Sequence, residues 1–148
     1  MNKISAFVDG SSNYDTRKVG GGVILYNPTD NKIIDTLYVK VPIEYIEFNN
    51  VAGELYATVT AIQYAIKNHY SKLDIYYDYA GIEAWANKSW KAKNELTKKY
   101  QNYIDKINKY ISIEFHKVKA HQKKADRTFE NEMNELADKA AKKSLEME

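Results

Sequence analysis

Cysteine is missing altogether from the 148 residues. Its absence removes a disulfide framework and every thiolate metal site, and fits the reducing cytoplasm in which we expect this protein. Proline occurs twice and glycine six times, far too few for a collagen-like or linker-dominated chain. No apolar run approaches the roughly 20 residues that span a bilayer. The N-terminus also lacks an apolar stretch followed by a small-residue cleavage site. We therefore expect no membrane partner. Charge of one sign is scarce too. The 22 Lys and Arg nearly cancel the 20 Asp and Glu, leaving a formal +2. That excludes the whole-protein basic field of a non-specific DNA coater, so local clusters must carry any case for a nucleic-acid partner.

What remains is 44% hydrophobic and 28% charged residues, an ordinary globular composition, with 13 tyrosines. The length suits one domain over residues 1–148, with a core of its own. Residues 3–9 read as a strand. Gly20-Gly21-Gly22 leads into a second, VILY, and turn residues around Asn27-Pro28 and Asp30-Asn31 precede a third, KIIDTLYVKV. Short connections make these three an antiparallel meander. Asn49-Asn50 reads as the N-cap of a helix over 51–68. A strand at 73–78, a short helix at 81–87 with Trp85, and a helix at 96–108 follow. A strand at 111–118 and a helix at 129–143 complete the order β-β-β-α-β-α-α-β-α. This is an α/β fold with a mixed sheet. Its first and fourth strands can lie side by side in parallel through a right-handed crossover, with their C-terminal ends on the edge where α/β sheets bind ligands.

Two of those strands end on a carboxylate. Asp9 follows the apolar run ISAFV, and Asp78 closes LDIYYD. In that arrangement they would sit about one strand spacing, ~5 Å, apart. Taken alone, Asp9 before Gly10 is a turn former. Two carboxylates so close repel unless a proton or a cation intervenes. Glu54 begins the helix after Asn49-Asn50 and shares a face with Thr58, Ala61 and Ala65, small residues that let that face approach the sheet. Gly53 is a poor helix former and implies close backbone approach to a ligand or strand. In NELADKAAK, Asn134 and Asp138 lie one turn apart beside an apolar stripe of Met133, Leu136, Ala137, Ala140 and Ala141. An oxygen-only set of this kind suits hard divalent cations. Two such ions ~4 Å apart are the arrangement that hydrolyses phosphodiesters.

VDGSS at 8–12, GELYA at 53–57, YYDYAGIEAW at 76–85 and VKAHQ…NELADKAA at 118–141 together resemble type 1 ribonuclease H, over nearly the whole chain and in the same order. The resemblance implies the ribonuclease H-like fold: a five-stranded mixed sheet, three antiparallel strands then two parallel, with helices on both faces. It implies an endonuclease that uses two Mg²⁺ ions, or Mn²⁺, to cut the RNA strand of RNA–DNA hybrids, leaving 5′-phosphate and 3′-hydroxyl ends. Asp9, Glu54, Asp78 and Asp138 would hold the metals, Asp9 bridging them. His121 resembles the mobile-loop histidine of proton transfer or product release, whereas His69 and His116 are left to structural roles. Gly10, Ser11 and Ser12 would approach a ribose. Asn49 or Asn50 resembles the asparagine that contacts the minor groove, and Asn134 the one preceding the last carboxylate.

Two departures stand out. No basic protruding helix is present. Only NKSWKAKNE occupies its place, so the chain resembles the handle-less variety. Its Lys88, Trp90, Lys91 and Lys93 form a possible strip for phosphates. The loop after His121 is also longer than in the familiar bacterial enzymes. We expect a monomer. The competing readings are a nuclease of the same fold with another nucleic-acid substrate, and a hybrid-binding module without chemistry. A serine nucleophile at Ser11 or Ser12 has no G-x-S-x-G elbow to support it.

Overall fold

The computed structural model describes residues 2–119 and 128–147. Five strands form one sheet in the order β3-β2-β1-β4-β5. They are β1 (Lys3–Asn13), β2 (Lys18–Asn27), β3 (Lys32–Lys40), β4 (Lys72–Tyr77) and β5 (Ser112–Lys117). The first three pair antiparallel, and β4 and β5 continue the sheet in parallel from β1. That is the expected meander and crossover. The helices are α1 (Asn49–Lys67), α2 (Gly81–Ala86), α3 (Glu95–Ile107) and α4 (Phe129–Ser144). None of those described is long and apolar enough to cross a membrane.

Alternation along β1 sorts its side chains to two faces. Ile4, Ala6 and Val8 join the larger core with Leu55, Ala61 and Ile62 of α1, whereas Phe7 faces Met133, Ala137 and Ala140 of α4. The small face of α1 is as expected: Thr58, Ala61 and Ala65 are fully buried. On α4 the stripe holds except at Leu136, which is 38% exposed. The helix turns it out because the glycines of β2 draw the alanine positions inward. Both α3 and α4 begin with capping boxes, Asn94 with Thr97 and Thr128 with Asn131, each worth about 1 kcal/mol.

Two local expectations are corrected. First, β1 does not stop at Asp9. It continues to Asn13 because β2 pairs with it throughout, Asp9 opposite Gly22 and Gly10 opposite Gly21. Only its parallel pairing with β4 ends, at Phe7 opposite Tyr76. Asp9 therefore stands mid-strand, just beyond the last pair with β4, and there is no Asp-Gly turn. Second, Asn49 and Asn50 are not caps. A 3-10 helix, Ile43–Phe48, directly precedes α1, the two joined at Asn49 with φ 55° and ψ −143°, and Phe48 takes the cap position without a side-chain bond.

Candidate active site

Close approach of α1 to the sheet is what brings its glutamate to the carboxylates. A Cβ on Gly10 would sit 2.5 Å from the Glu54 amide nitrogen, and one on Gly53 would run into the Gly20 carbonyl oxygen and lie 3.0 Å from the Gly10 Cα. Glycine at both positions lets helix and strand backbones touch. On the opposite face a Cβ on Gly22 would be 2.5 Å from the Ala137 carbonyl oxygen, so α4 settles equally closely and carries Asp138 to the same place. The expected close approach at Gly53 is thus to a strand.

Asp9, Glu54 and Asp78 each offer a carboxylate oxygen within 4.8 Å of the others. Asp9 is 8% and Glu54 3% exposed, while Asp78 and Asp138 are half-buried. The Asp9 carboxylate accepts the Gly10 amide at 2.9 Å. Glu54 Oε2 accepts the amides of Asp78 at 3.3 Å and Tyr79 at 3.2 Å. Asp138 lies near enough to Asp9 for its charge to act on it, and pairs with Lys142 Nζ at 3.0 Å. Among the described residues no cation pairs with Asp9, Glu54 or Asp78.

That crowding is legible in proton affinities. Burial, then the Asp78 and Asp138 carboxylates, pushes Asp9 up to about 8, against the downward pull of the Gly10 amide. Burial, with Asp78 and Asp9 adding, raises Glu54 well above the usual carboxylate range. Charge repulsion of this kind is relieved by a proton or by a cation. The donors are all oxygen, as Mg²⁺ and Mn²⁺ prefer. One further oxygen fits the same chemistry. Asn134, one turn before Asp138, is 9% exposed and its buried Oδ1 has no hydrogen-bond partner.

The other predicted residues are placed as follows. Gly10, Ser11 and Ser12 extend β1 beyond Asp9, the first two half-buried and Ser12 exposed. Asn49 and Asn50 are exposed at the start of α1, with the Asn50 carbonyl against Gly10. Lys88, Lys91 and Lys93 are exposed, and Trp90 is 41% exposed. Lys88, Trp90 and Lys91 line an open depression of about 570 Å³ with Lys98 and Gln101. Lys88 is already paired with Asp105 at 3.0 Å. His121 lies outside the described residues. Just before that segment, the Lys119 carbonyl accepts from Asn131 Nδ2 at 2.6 Å.

Sequence reasoning missed how the Trp90 strip is joined to the acids. Tyr79 packs against Trp85 at 5.9 Å and Trp90 at 6.1 Å, and the two tryptophans meet edge-on at 5.4 Å. Tyr79 directly follows Asp78, and three aromatics within a dozen residues were the available signal. A second group, Asp74, Glu114 and His116, also converges within 4.8 Å. There Lys3 at 2.6 Å and His116 at 3.0 Å already satisfy Asp74, in keeping with a structural role for His116.

A model of the RNase H family matches residues 1–146. No curated protein matches the chain. Among solved structures, RNase H1 of the halophilic archaeon Halobacterium salinarum NRC-1 superposes with a TM-score of 0.73 at 16% identity, covering 97% of this chain and 98% of that one. The N-terminal RNase H domain of rv2228c from Mycobacterium tuberculosis, fused to maltose binding protein, gives 0.72 at 15%, covering 99% and 98%. LC11-RNase H1, isolated from compost by a metagenomic approach and solved in complex with an RNA/DNA hybrid, gives 0.72 at 14%, covering 97% and 96%.

Proposed function

The chain belongs to the RNase H family, and from that premise we propose that its acidic cluster hydrolyses the RNA strand of RNA–DNA hybrids with two bound divalent ions. The observation that carries this reading is the convergence of Asp9, Glu54 and Asp78 within 4.8 Å, with the Asp138 charge acting on Asp9. Asp78 and Asp138 both raise the proton affinity of Asp9, so Asp9 is the carboxylate suited to be shared between the ions. Glu54 and Asp78 would complete one site, and Asp138 the other. Mg²⁺ or Mn²⁺ bound there supplies positive charge that favours hydroxide at the attacking water and stabilises the departing oxygen.

The chain's own groups do the rest. The glycine-backed edge of β1, Gly10 to Ser12, offers backbone and hydroxyls at the height of a ribose, where a 2′-hydroxyl distinguishes RNA from DNA. Asn49 or Asn50, both exposed at the start of α1, would read a groove edge. The depression holding Trp90, Lys91 and Lys98 offers an aromatic face and cations to phosphates of the hybrid. Attack on phosphorus from the side opposite the 3′-oxygen breaks the P–O3′ bond. The phosphate stays on the 5′-oxygen of the downstream fragment, and the departing 3′-oxygen takes up a proton to become the 3′-hydroxyl. His121 is assigned to that proton transfer, or to product release, by resemblance alone.

The test is cleavage of an end-labelled RNA–DNA hybrid in Mg²⁺ beside RNA–RNA and DNA–DNA duplexes of the same sequence. We expect cutting of the RNA in the hybrid only, lost on adding EDTA and restored by excess Mg²⁺ or Mn²⁺. An intact hybrid, or equal cutting of all three duplexes, overturns the reading.

A further inference from the structure

Beyond the last ladder pairs of β4, the chain has to be held by something other than the sheet. Pairing with β1 ends at Tyr76 and with β5 at Tyr77. The next two amides, Asp78 and Tyr79, precede α2 and both donate to one atom, Glu54 Oε2. Among the described residues no other side chain accepts from either. Two nearby bonds anchor α2 itself, Tyr77 to Glu83 at 2.6 Å and Tyr100 to the Ile82 carbonyl at 2.7 Å. Neither touches Asp78.

We propose that Glu54 is a positioning residue for Asp78 as well as a cation ligand, its Oε2 fixing the turn that carries the aspartate and its Oε1 left for the ion. The cation half rests on the function proposed above, while the bracing half stands on the metal-free geometry alone. A backbone amide turned away from water and left without an acceptor is costly, and here a single oxygen serves two. The helix cannot shift to compensate for a shorter side chain. Gly53 already lies against the Gly20 carbonyl and Gly10 against the Glu54 amide. Reach is therefore set by side-chain length, and glutamate meets it where aspartate falls one methylene short. Glutamine keeps the length and a carbonyl acceptor but loses the charge.

Amide hydrogen exchange at Asp78 and Tyr79, measured by NMR on the metal-free protein, separates these roles. In Glu54→Gln we expect exchange within about threefold of wild type. In Glu54→Ala and Glu54→Asp it should accelerate about tenfold or more, the loss expected when two amides give up their shared acceptor, while amides inside α1 stay slow. If the alanine variant does not fold, the aspartate variant carries the comparison. Unchanged exchange in the aspartate variant overturns the brace, and so does equally fast exchange in glutamine and aspartate. Mn²⁺ affinity, measured by calorimetry on the same proteins, judges the other half. It should fall about tenfold or more in Glu54→Gln, and retained affinity there would remove Glu54 from the cation site without touching the exchange result.

Discussion

Asp9 holds its proton tightly because it is buried among other acids, and that has a pH signature of definite sign. Its affinity is pushed up to about 8 in the folded protein, against a usual carboxylate value near 4 in the unfolded chain. Between those values the native state binds the proton more tightly, so folding stability falls as pH climbs through the window and the contribution is gone above it. Thermal unfolding of the metal-free protein should show Tm dropping from pH 5 to pH 8, and saturating Mg²⁺ should reverse the drop. Asp9→Asn carries no titrating charge. It should abolish hybrid cleavage, reduce that slope to the part that Glu54 contributes, and raise the metal-free Tm at pH 8 by roughly 3–6 °C. A steep slope retained in the variant would place its origin elsewhere. Asn134 is a second case in which the site costs stability. A buried oxygen without a partner costs about 1–3 kcal/mol. Asn134→Leu should therefore raise the metal-free Tm by roughly 3 °C while slowing hybrid cleavage, both read on one preparation.

At the scale of elements, contact between backbones decides where the acids land. Gly22 is the point at which α4 meets the sheet, and its added Cβ would lie 2.5 Å from both the Ala137 carbonyl oxygen and the Ala141 amide nitrogen. Gly22→Ala should cost about 1–3 kcal/mol, seen as a lower denaturant midpoint. It should also weaken Mn²⁺ binding, because Asp138 moves out with the helix. The run Gly20-Gly21-Gly22 is visible in the sequence as a prelude to a strand, but its purpose is not. Alternation sends the Cβ positions of Gly20 and Gly22 toward α4 and that of Gly21 toward α1. Only a sheet sandwiched between two helices needs all three. The same holds at the start of α1. An Asn-Asn pair is a sound cap signal locally, but a 3-10 helix precedes α1, Asn49 at φ 55° forms the joint between them, and no side-chain bond caps the start of α1.

At the scale of the molecule, a net charge of +2 means that hybrid binding would draw on a local basic strip, as proposed for Trp90, Lys91 and Lys98. Each lysine that neutralises a phosphate adds about one to the slope of log affinity against log salt. Lys91→Ala should reduce that slope by roughly one and raise KM several-fold with little change in kcat. Lys88→Ala should do less, since Asp105 already holds Lys88. Fluorescence titrations at several salt concentrations check both. A slope unaffected by Lys91→Ala would remove the strip from the binding surface.

Periodicity and turn chemistry determined the order of strands and helices from the sequence alone, because alternation and helical spacing are local properties of the chain. The four carboxylates could also be named there, since charges set against apolar runs and small helix faces need a reason. Which of them touch was decided only by tertiary structure. Asp9 remains inside a strand that outlasts its pairing with β4, Glu54 arrives through Gly10 and Gly53, and Asp138 arrives over Gly22. Convergence depends on how closely three elements distant in sequence can pack, a property of volumes and backbone clearances that no single segment encodes.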